Sequence, residues 1–178
     1  QVGLEVNQIA LFLAAFIFGG AIAQYPIGWI ADKFDRRWVL IILSLAAIFS
    51  SSLTIIVSSQ GTIAIFFAAF IFGFITFPIY SVASAHANDF AKPAQMVELS
   101  AALIFFFAVG AIGSPILSAK LVEIYGPNAL FVFIGLAHVI LVIVSIARMN
   151  VRPSAEIKTS YRYTPRTSFG IAKLIRRR

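Results

Sequence analysis

Cysteine is absent from the sequence, and charged residues are scarce and unevenly placed. Without cysteine, the chain can form no disulfide, no thiolate metal site and no cysteine nucleophile. Charged residues make up 12% of the chain, whereas hydrophobic residues make up 60%, and the mean hydropathy is +0.94. Both values lie far outside the usage of soluble globular proteins. A soluble fold of this length could not bury so much apolar surface, so the composition predicts an integral membrane protein.

Long stretches without charge divide the chain into membrane spans. No charged residue or histidine occurs from Trp38 to Ala85, and His138 is the only one in the stretches 6–31, 99–119 and 124–147. A transmembrane helix needs about 20 apolar residues to cross a hydrocarbon core of about 30 Å, so the longest stretch must cross twice. The sequence therefore predicts an all-α, polytopic membrane protein whose residues 1–150 form a bundle of five transmembrane helices. The helices are expected at about 5–30, 38–57, 63–87, 94–123 and 127–148.

Local signals mark the ends of these stretches. Asp35 is a candidate N-cap for the second helix. Pro93 and Pro127 lie at or near the first turns of the fourth and fifth helices, and Gly126 is a candidate stop between them. The first stretch has neither the basic segment nor the small-residue cleavage site of a signal peptide, so we expect it to remain as a span.

Residues 151–178 form a basic tail that we expect to lie outside the membrane. The tail has eight basic residues and one acidic residue, Glu156, whereas residues 1–150 have six of each, so all of the net charge of +7 lies in the tail. A basic segment beside a span attracts anionic lipid headgroups, at about 1 kcal/mol per Lys or Arg. Because no nucleic-acid recognition module precedes the tail, we expect membrane lipids rather than nucleic acid as its partner.

The placement of lysine and arginine predicts the orientation of the spans. Lys33, Arg36 and Arg37 follow the first span, Lys92 follows the third and the basic tail follows the fifth, with Lys120 as the exception. By the positive-inside rule, these segments and the C-terminus are cytoplasmic in a multi-pass protein of the cell membrane. Five crossings then place the N-terminus on the far side, so we interpret the chain as a fragment that lacks at least one preceding helix.

One charged loop carries a specific pattern. Residues 28–37 read Gly-Trp-Ile-Ala-Asp-Lys-Phe-Asp-Arg-Arg and join one apolar helix directly to the next. The loop resembles the signature loop of the major facilitator superfamily, in which glycine, three residues, aspartate, a basic residue, a variable residue, usually a second glycine and then further basic residues follow in order. The residues that match are Gly28, Asp32, Lys33, Arg36 and Arg37. Asp35 stands where the second glycine is common, and an Asx-type turn can serve in its place.

The resemblance implies that the chain is a partial bundle of a twelve-helix secondary active transporter. Such a transporter moves a small solute by alternating access, with the missing part of the same protein as partner. The signature loop occurs in either six-helix half, so the five helices correspond to helices two to six or eight to twelve. We favour the C-terminal half because the chain ends soon after its last helix. In the N-terminal half, residues 151–178 would begin the central cytoplasmic loop.

The charged loop is predicted to act as a gate. Gly28 and Asp32 are one helical turn apart, and Asp32 and Arg36 are again four residues apart, so the last two can form an ion pair that locks the loop. The resemblance implies that the aspartate and arginines latch the two halves together in the outward-facing state. The alternative is that these charges only stop transfer and set the topology, which every membrane protein requires.

Glycine and proline inside three of the helices are candidates for close packing or bending. In the fourth helix, Gly110, Ser114 and Ser118 lie along one stripe, which favours close approach of another helix. Proline in a span permits a bend that can serve alternating access, which is the alternative to the packing interpretation. The candidates are Pro26, Gly73, Pro78, Gly110, Gly113, Ser114 and Pro115, together with Gly19 and Gly20.

The resemblance also implies that the first, third and fourth helices line a central cavity, with the second and fifth outside as support. Uncharged polar side chains on the lining helices are candidates for solute contact, because polar groups in lipid need partners. Hydrogen bonding between helices, or a place in the interfacial aromatic belt, is the alternative for each. The candidates are Gln24, Tyr25, Tyr80, Ser84 and Ser100.

The two histidines are too far apart in the sequence to suggest a catalytic or metal cluster. His138 lies near the middle of the fifth helix, where it is either part of a proton relay or a neutral side chain bonded to a neighbouring helix. His86 and Asp89 are a candidate proton site, with a solvated helix end as the alternative. We therefore expect no enzyme activity, catalytic residue, cofactor or metal. A non-transporting membrane scaffold or sensor is the main alternative function, ahead of an integral-membrane enzyme.

Overall fold

Five long α-helices make up the chain in a computed structural model that describes residues 5–57 and 60–151. The helices are α1 (Val6–Lys33), α2 (Arg36–Val57), α3 (Thr62–Asn88), α4 (Met96–Tyr125) and α5 (Ala129–Val151), with a 3-10 turn at Pro93–Gln95 before α4. All five are long and apolar enough to cross a membrane. This confirms the predicted all-α fold and number of spans. The basic tail, with its expected lipid contacts, lies outside the described residues.

The helix ends differ from the expected ends by a few residues, for local reasons. α1 continues to Lys33 and α2 begins at Arg36, because charged residues can extend a helix beyond its apolar part. Asp35 caps α2, since its Oδ1 atom accepts a hydrogen bond from the backbone N–H of Arg37 at 3.0 Å. Gly126 ends α4 with a φ of 85°, a left-handed conformation that suits glycine.

The helices alternate in direction along the chain. α1, α3 and α5 point one way, and α2 and α4 point the other way, with short connections between them. We call the end of the bundle where α1, α3 and α5 finish, and α2 and α4 begin, the charged end. It carries Lys33, Asp35, Arg37, Asp89 and Arg148.

α1 and α3 run in parallel and touch through glycine. A Cβ atom on Gly73 of α3 would collide with the backbone oxygen of Phe16 and would lie 2.8 Å from its carbonyl carbon. The ring of Phe16 in turn stacks on Phe72 at a centroid distance of 5.8 Å and meets Phe77 edge-on at 5.0 Å. Gly73 therefore permits the close approach of the two backbones that allows these rings to pack.

α2 is the most buried of the five helices because α3 and α5 cover it on both sides. Near the charged end, its residues Leu40 and Leu43 join Ala31 of α1 and Val82 of α3 in a buried apolar cluster. The buried hydroxyl of Ser44 donates a hydrogen bond to the backbone oxygen of Leu40, one turn earlier, at 2.7 Å. Within the described helices, α2 is thus the most buried, and its supporting position in the whole transporter stays a prediction.

α4 lies at the margin of the bundle and has no buried residue. The edge-on contact of the Tyr80 and Phe107 rings, at a centroid distance of 5.3 Å, connects it to α3. Large apolar side chains along α4, among them Phe106 and Ile112, are exposed. An apolar surface of this extent is typical of helices that face lipid or further helices.

Candidate functional site

Arg36 is the centre of a charge network at the charged end. Its side chain is 2% exposed, and Nη2 donates a hydrogen bond to Oδ1 of Asp32 at 2.8 Å. Nη1 donates to Oδ1 of Asp89 and to the backbone oxygen of Ala85, the latter at 3.1 Å. The network therefore ties the end of α1, the start of α2 and the end of α3 together. The ion pair predicted from the spacing of Asp32 and Arg36 is present, and its gating role stays a prediction.

The two carboxylates of this network differ in exposure. Asp89 is 3% exposed, whereas Asp32 is 32% exposed. Breaking a buried ion pair by removing one partner commonly costs about 3–5 kcal/mol, because it leaves an uncompensated charge. Arg36 and Asp89 thus form the fixed interior of the network, and Asp32 forms its accessible edge.

The sequence did not assign Asp89 to this network. The interpretation of Asp89 as part of a solvated helix end is wrong, because its side chain is buried against Arg36. A usable signal was present, since Asp32 and Asp89 each close a span that finishes at the charged end. The rotation of α3 about its axis, which brings the carboxylate to Arg36, is set by packing. His86, the other half of that candidate proton site, packs edge-on against Phe90 at a centroid distance of 5.2 Å.

The remaining residues of the signature loop have separate contacts. Arg37 pairs with Asp35, with 2.9 Å between Nη2 and Oδ2. Lys33 places its Nζ atom 3.8 Å from the ring centroid of Trp29, a cation–π contact. A Cβ atom on Gly28 would meet no atom within 4 Å. The loop thus has one buried network around Arg36 and one local pair around Arg37.

The predicted cavity residues are spread over α1, α3 and α4. Gln24 accepts a hydrogen bond from the Ser81 hydroxyl at 3.0 Å, which joins α1 to α3. Tyr25 is exposed, and the hydroxyl of Ser100 donates to the backbone oxygen of Met96 in its own helix at 2.8 Å. Tyr80 contacts α4 through Phe107, and Ser84 is half-buried on α3. Gln24 and Tyr80 therefore make contacts between helices, and solute contact stays a prediction for all five.

The predicted packing and bending residues fall into two groups. Gly73 and Pro78 are buried between helices, whereas Cβ atoms on Gly110 and Gly113 would meet nothing within 4 Å. Ser114 and Pro115, which lie on α4 with Gly110 and Gly113, are exposed. Pro26, Pro78 and Pro115 all lie inside continuous helices. The packing interpretation thus describes Gly73, whereas Gly110 and Gly113 of α4 have no close neighbour among the described residues.

The histidines and acidic residues do not gather into a metal site in the part of the chain that the structure describes. No group of three or more His, Cys, Asp or Glu side chains there could hold a metal ion. His138 is half-buried on α5, and its Nδ1 atom has no hydrogen-bond partner among the described residues. The bond to a neighbouring helix that we considered for His138 is therefore not made through Nδ1.

Comparison with known proteins decides the family. The sequence profile of the Major Facilitator Superfamily matches residues 1–178. The chain belongs to the major facilitator superfamily. Its matches include an uncharacterized MFS-type transporter, YcaD, from Shigella flexneri serotype 5b, with 34% identity over 133 residues, which are 75% of this chain and 34% of the relative. The YcaD protein of Escherichia fergusonii is 29% identical over 157 residues, which are 87% of this chain and 40% of the relative.

These matches place the chain in a family of membrane transporters. Members of the major facilitator superfamily are transporters and not enzymes, which agrees with the expectation of no enzyme activity. The five spans agree with a multi-pass membrane protein of this family. The chain spans 34% to 40% of the length of these two curated relatives. No solved structure gives a significant match to the chain.

Proposed function

We propose that this major facilitator chain is one part of a secondary active transporter that moves a small solute by alternating access. The observation that carries the proposal is the buried Arg36 network, which joins the ends of α1, α2 and α3. Alternating access requires a group of helices to rock as one body against a second group. A buried guanidinium that donates hydrogen bonds to two other helices can hold such a group of helices together. Separating the helices would expose its charge to solvent or leave it buried without a partner.

Within this mechanism, Asp32 is the contact between the clamp and the rest of the transporter. Arg36 fixes one oxygen of the Asp32 carboxylate at 2.8 Å, while 32% of the side chain remains exposed. Gly28, one turn earlier on α1, leaves open space at its Cβ position. A helix from the remaining part of the transporter would approach α1 at Gly28 and meet the Asp32 carboxylate. The loop would then latch in one state and release in the other.

The experiment is solute flux into proteoliposomes that contain the full-length gene product. A panel of labelled small solutes identifies a transported compound, and Asp32→Asn is then compared with the parent. We expect Asp32→Asn to lower the initial rate by at least about fivefold, the lower range of coupling between two sites. Glu98→Gln is the matched control, because Glu98 lies exposed in the first turn of α4 at the same end of the bundle.

The possible outcomes separate the proposals. Equal flux in Asp32→Asn and Glu98→Gln would show that the loop charges only set topology. No flux of any solute by the parent, in protein that is folded and inserted, would favour a scaffold or sensor over a transporter.

We also propose that the charged end is cytoplasmic. This chain has no cysteine, so a thiol introduced into it reports sidedness once any cysteines in the rest of the full-length protein are replaced. Lys92→Cys, between α3 and α4, should react with an impermeant maleimide only after the cells are opened. Labelling of Lys92→Cys in intact cells would contradict the proposal and place the charged end outside the cell. Sequencing of the gene upstream of the codon for Gln1 decides which half of the transporter the chain is, because about seven preceding spans are expected for a C-terminal half and one for an N-terminal half.

A further inference from the structure

A cleft of about 410 Å³ opens at the charged end between α2, α3 and α5. Its polar lining consists of Arg37, His86, Ser145 and Arg148, and we call it the arginine cleft. The cleft lies beside the Arg36 network but is lined by different residues. A volume of this size holds a small polar group or a lipid headgroup, and it is too small for the acyl chains of a phospholipid.

The charge of the arginine cleft selects an anion. Arg37 and Arg148 both line it, and the carboxylate that pairs with Arg37 belongs to Asp35. Among residues 5–57 and 60–151, no carboxylate forms an ion pair with Arg148, which lies in the last turn of α5. Arg37 donates hydrogen bonds to Asp35 through Nε and Nη2, so the positive charge that no described carboxylate matches is that of Arg148. The Arg148 guanidinium and the Ser145 hydroxyl are donors that suit a phosphate group, because guanidinium donors match phosphate oxygens.

The apolar part of the cleft selects an amphiphile. Leu40, Leu141 and Val144 line the cleft beside the arginines. From Val144 an exposed apolar strip continues along α5 through Ile140, away from the charged end. A soluble anion would gain nothing from this strip, whereas an acyl chain attached to the bound headgroup would lie along it.

We propose that the arginine cleft binds the headgroup phosphate of an anionic phospholipid, with one acyl chain along the exposed strip of α5. Basic pockets between transmembrane helices are suited to anionic headgroups, and each nearby arginine strengthens binding by about fivefold. The bound lipid would bridge the start of α2 and the end of α5 through Arg37 and Arg148. Phosphatidylglycerol is the probe, since it carries a phosphate and no cationic group.

The test measures lipid binding to the full-length gene product in a mild neutral detergent by native mass spectrometry. We expect phosphatidylglycerol to bind more tightly than phosphatidylcholine of the same chain length. We expect Arg148→Gln to weaken phosphatidylglycerol binding by about fivefold, and Arg37→Gln by a similar factor. Lys92→Gln is the matched control, because it removes one positive charge at the same end of the bundle, outside the cleft.

A second variant tests the cleft without changing charge. Ser145→Phe places a ring in the cleft and should also reduce phosphatidylglycerol binding, whereas inorganic phosphate at millimolar concentration should not displace the lipid. Equal binding of the two lipids, or equal loss in Arg148→Gln and Lys92→Gln, would overturn the proposal. Displacement by inorganic phosphate would also overturn it, in favour of a soluble anion site. The melting temperature of each variant in phosphatidylcholine checks that it is folded.

Discussion

The contact of α1 with α3 gives a sharp prediction, because two glycines in the same fold have opposite surroundings. A Cβ atom at Gly73 would lie 2.8 Å from the carbonyl carbon of Phe16 and would collide with its oxygen. Carbon atoms pack best about 3.5–4.0 Å apart. Both partners are backbone atoms, so the clash cannot be relieved by a side-chain rotation. Gly73→Ala must therefore move α1 and α3 apart by at least about 0.7 Å.

This separation has a cost that can be measured. Overpacking a tight contact typically destabilises a protein by about 1–3 kcal/mol. A gap of about 0.5–1 Å removes about a quarter to a half of the dispersion energy of each contact. The attraction between the stacked rings of Phe16 and Phe72 would therefore also weaken. Because the entropy of unfolding grows with chain length, each kcal/mol lowers the melting temperature of the longer full-length protein by about 1–2 °C. We therefore expect Gly73→Ala to melt about 1–6 °C below the parent.

The control is Gly135→Ala on α5, where a Cβ atom would meet nothing within 4 Å. Alanine is the better helix former by up to about 1 kcal/mol, so this variant should equal or slightly exceed the parent. The assay is thermal unfolding of the full-length protein in detergent, followed by size-exclusion chromatography of the fraction that remains folded. If Gly73→Ala and Gly135→Ala melt at the same temperature, the reasoning about the α1–α3 contact is refuted.

Three further predictions concern single contacts. Asp89→Asn should destabilise the protein by about 3–5 kcal/mol, because it leaves the buried guanidinium with less compensation, and unfolding in increasing sodium dodecyl sulphate measures this loss. The hydrogen bond from Ser81 to Gln24 should contribute about 0.6 kcal/mol to stability, which is the average for such bonds in membranes. A double-mutant cycle of Ser81→Ala and Gln24→Leu measures this coupling energy, and a value of zero would contradict the prediction. The Tyr80–Phe107 contact should contribute about 0.5–1.5 kcal/mol in a cycle of leucine variants, and its loss should increase proteolysis near α4.

The sequence was sufficient for features that depend on neighbours along the chain. The number of spans follows from uninterrupted apolar stretches, because each helix must satisfy its own backbone and expose apolar side chains to lipid. The pairing of Asp32 with Arg36 was expected from their separation of four residues, although the two meet across the short connection between the end of α1 and the start of α2 rather than on one helical face. The cap formed by Asp35 is local in the same way.

Contacts between helices required the tertiary structure. Gly73 and Gly110 are equivalent as glycines within apolar helices, yet one lies against the backbone of α1 and the other has open space. The partnership of Arg36 with Asp89, and the meeting of Arg37 with Arg148 in one cleft, join residues from separate helices. The physical reason is that a helical repeat fixes which residues share a face of one helix. The rotation, offset and neighbour of each helix are set by packing over the whole bundle.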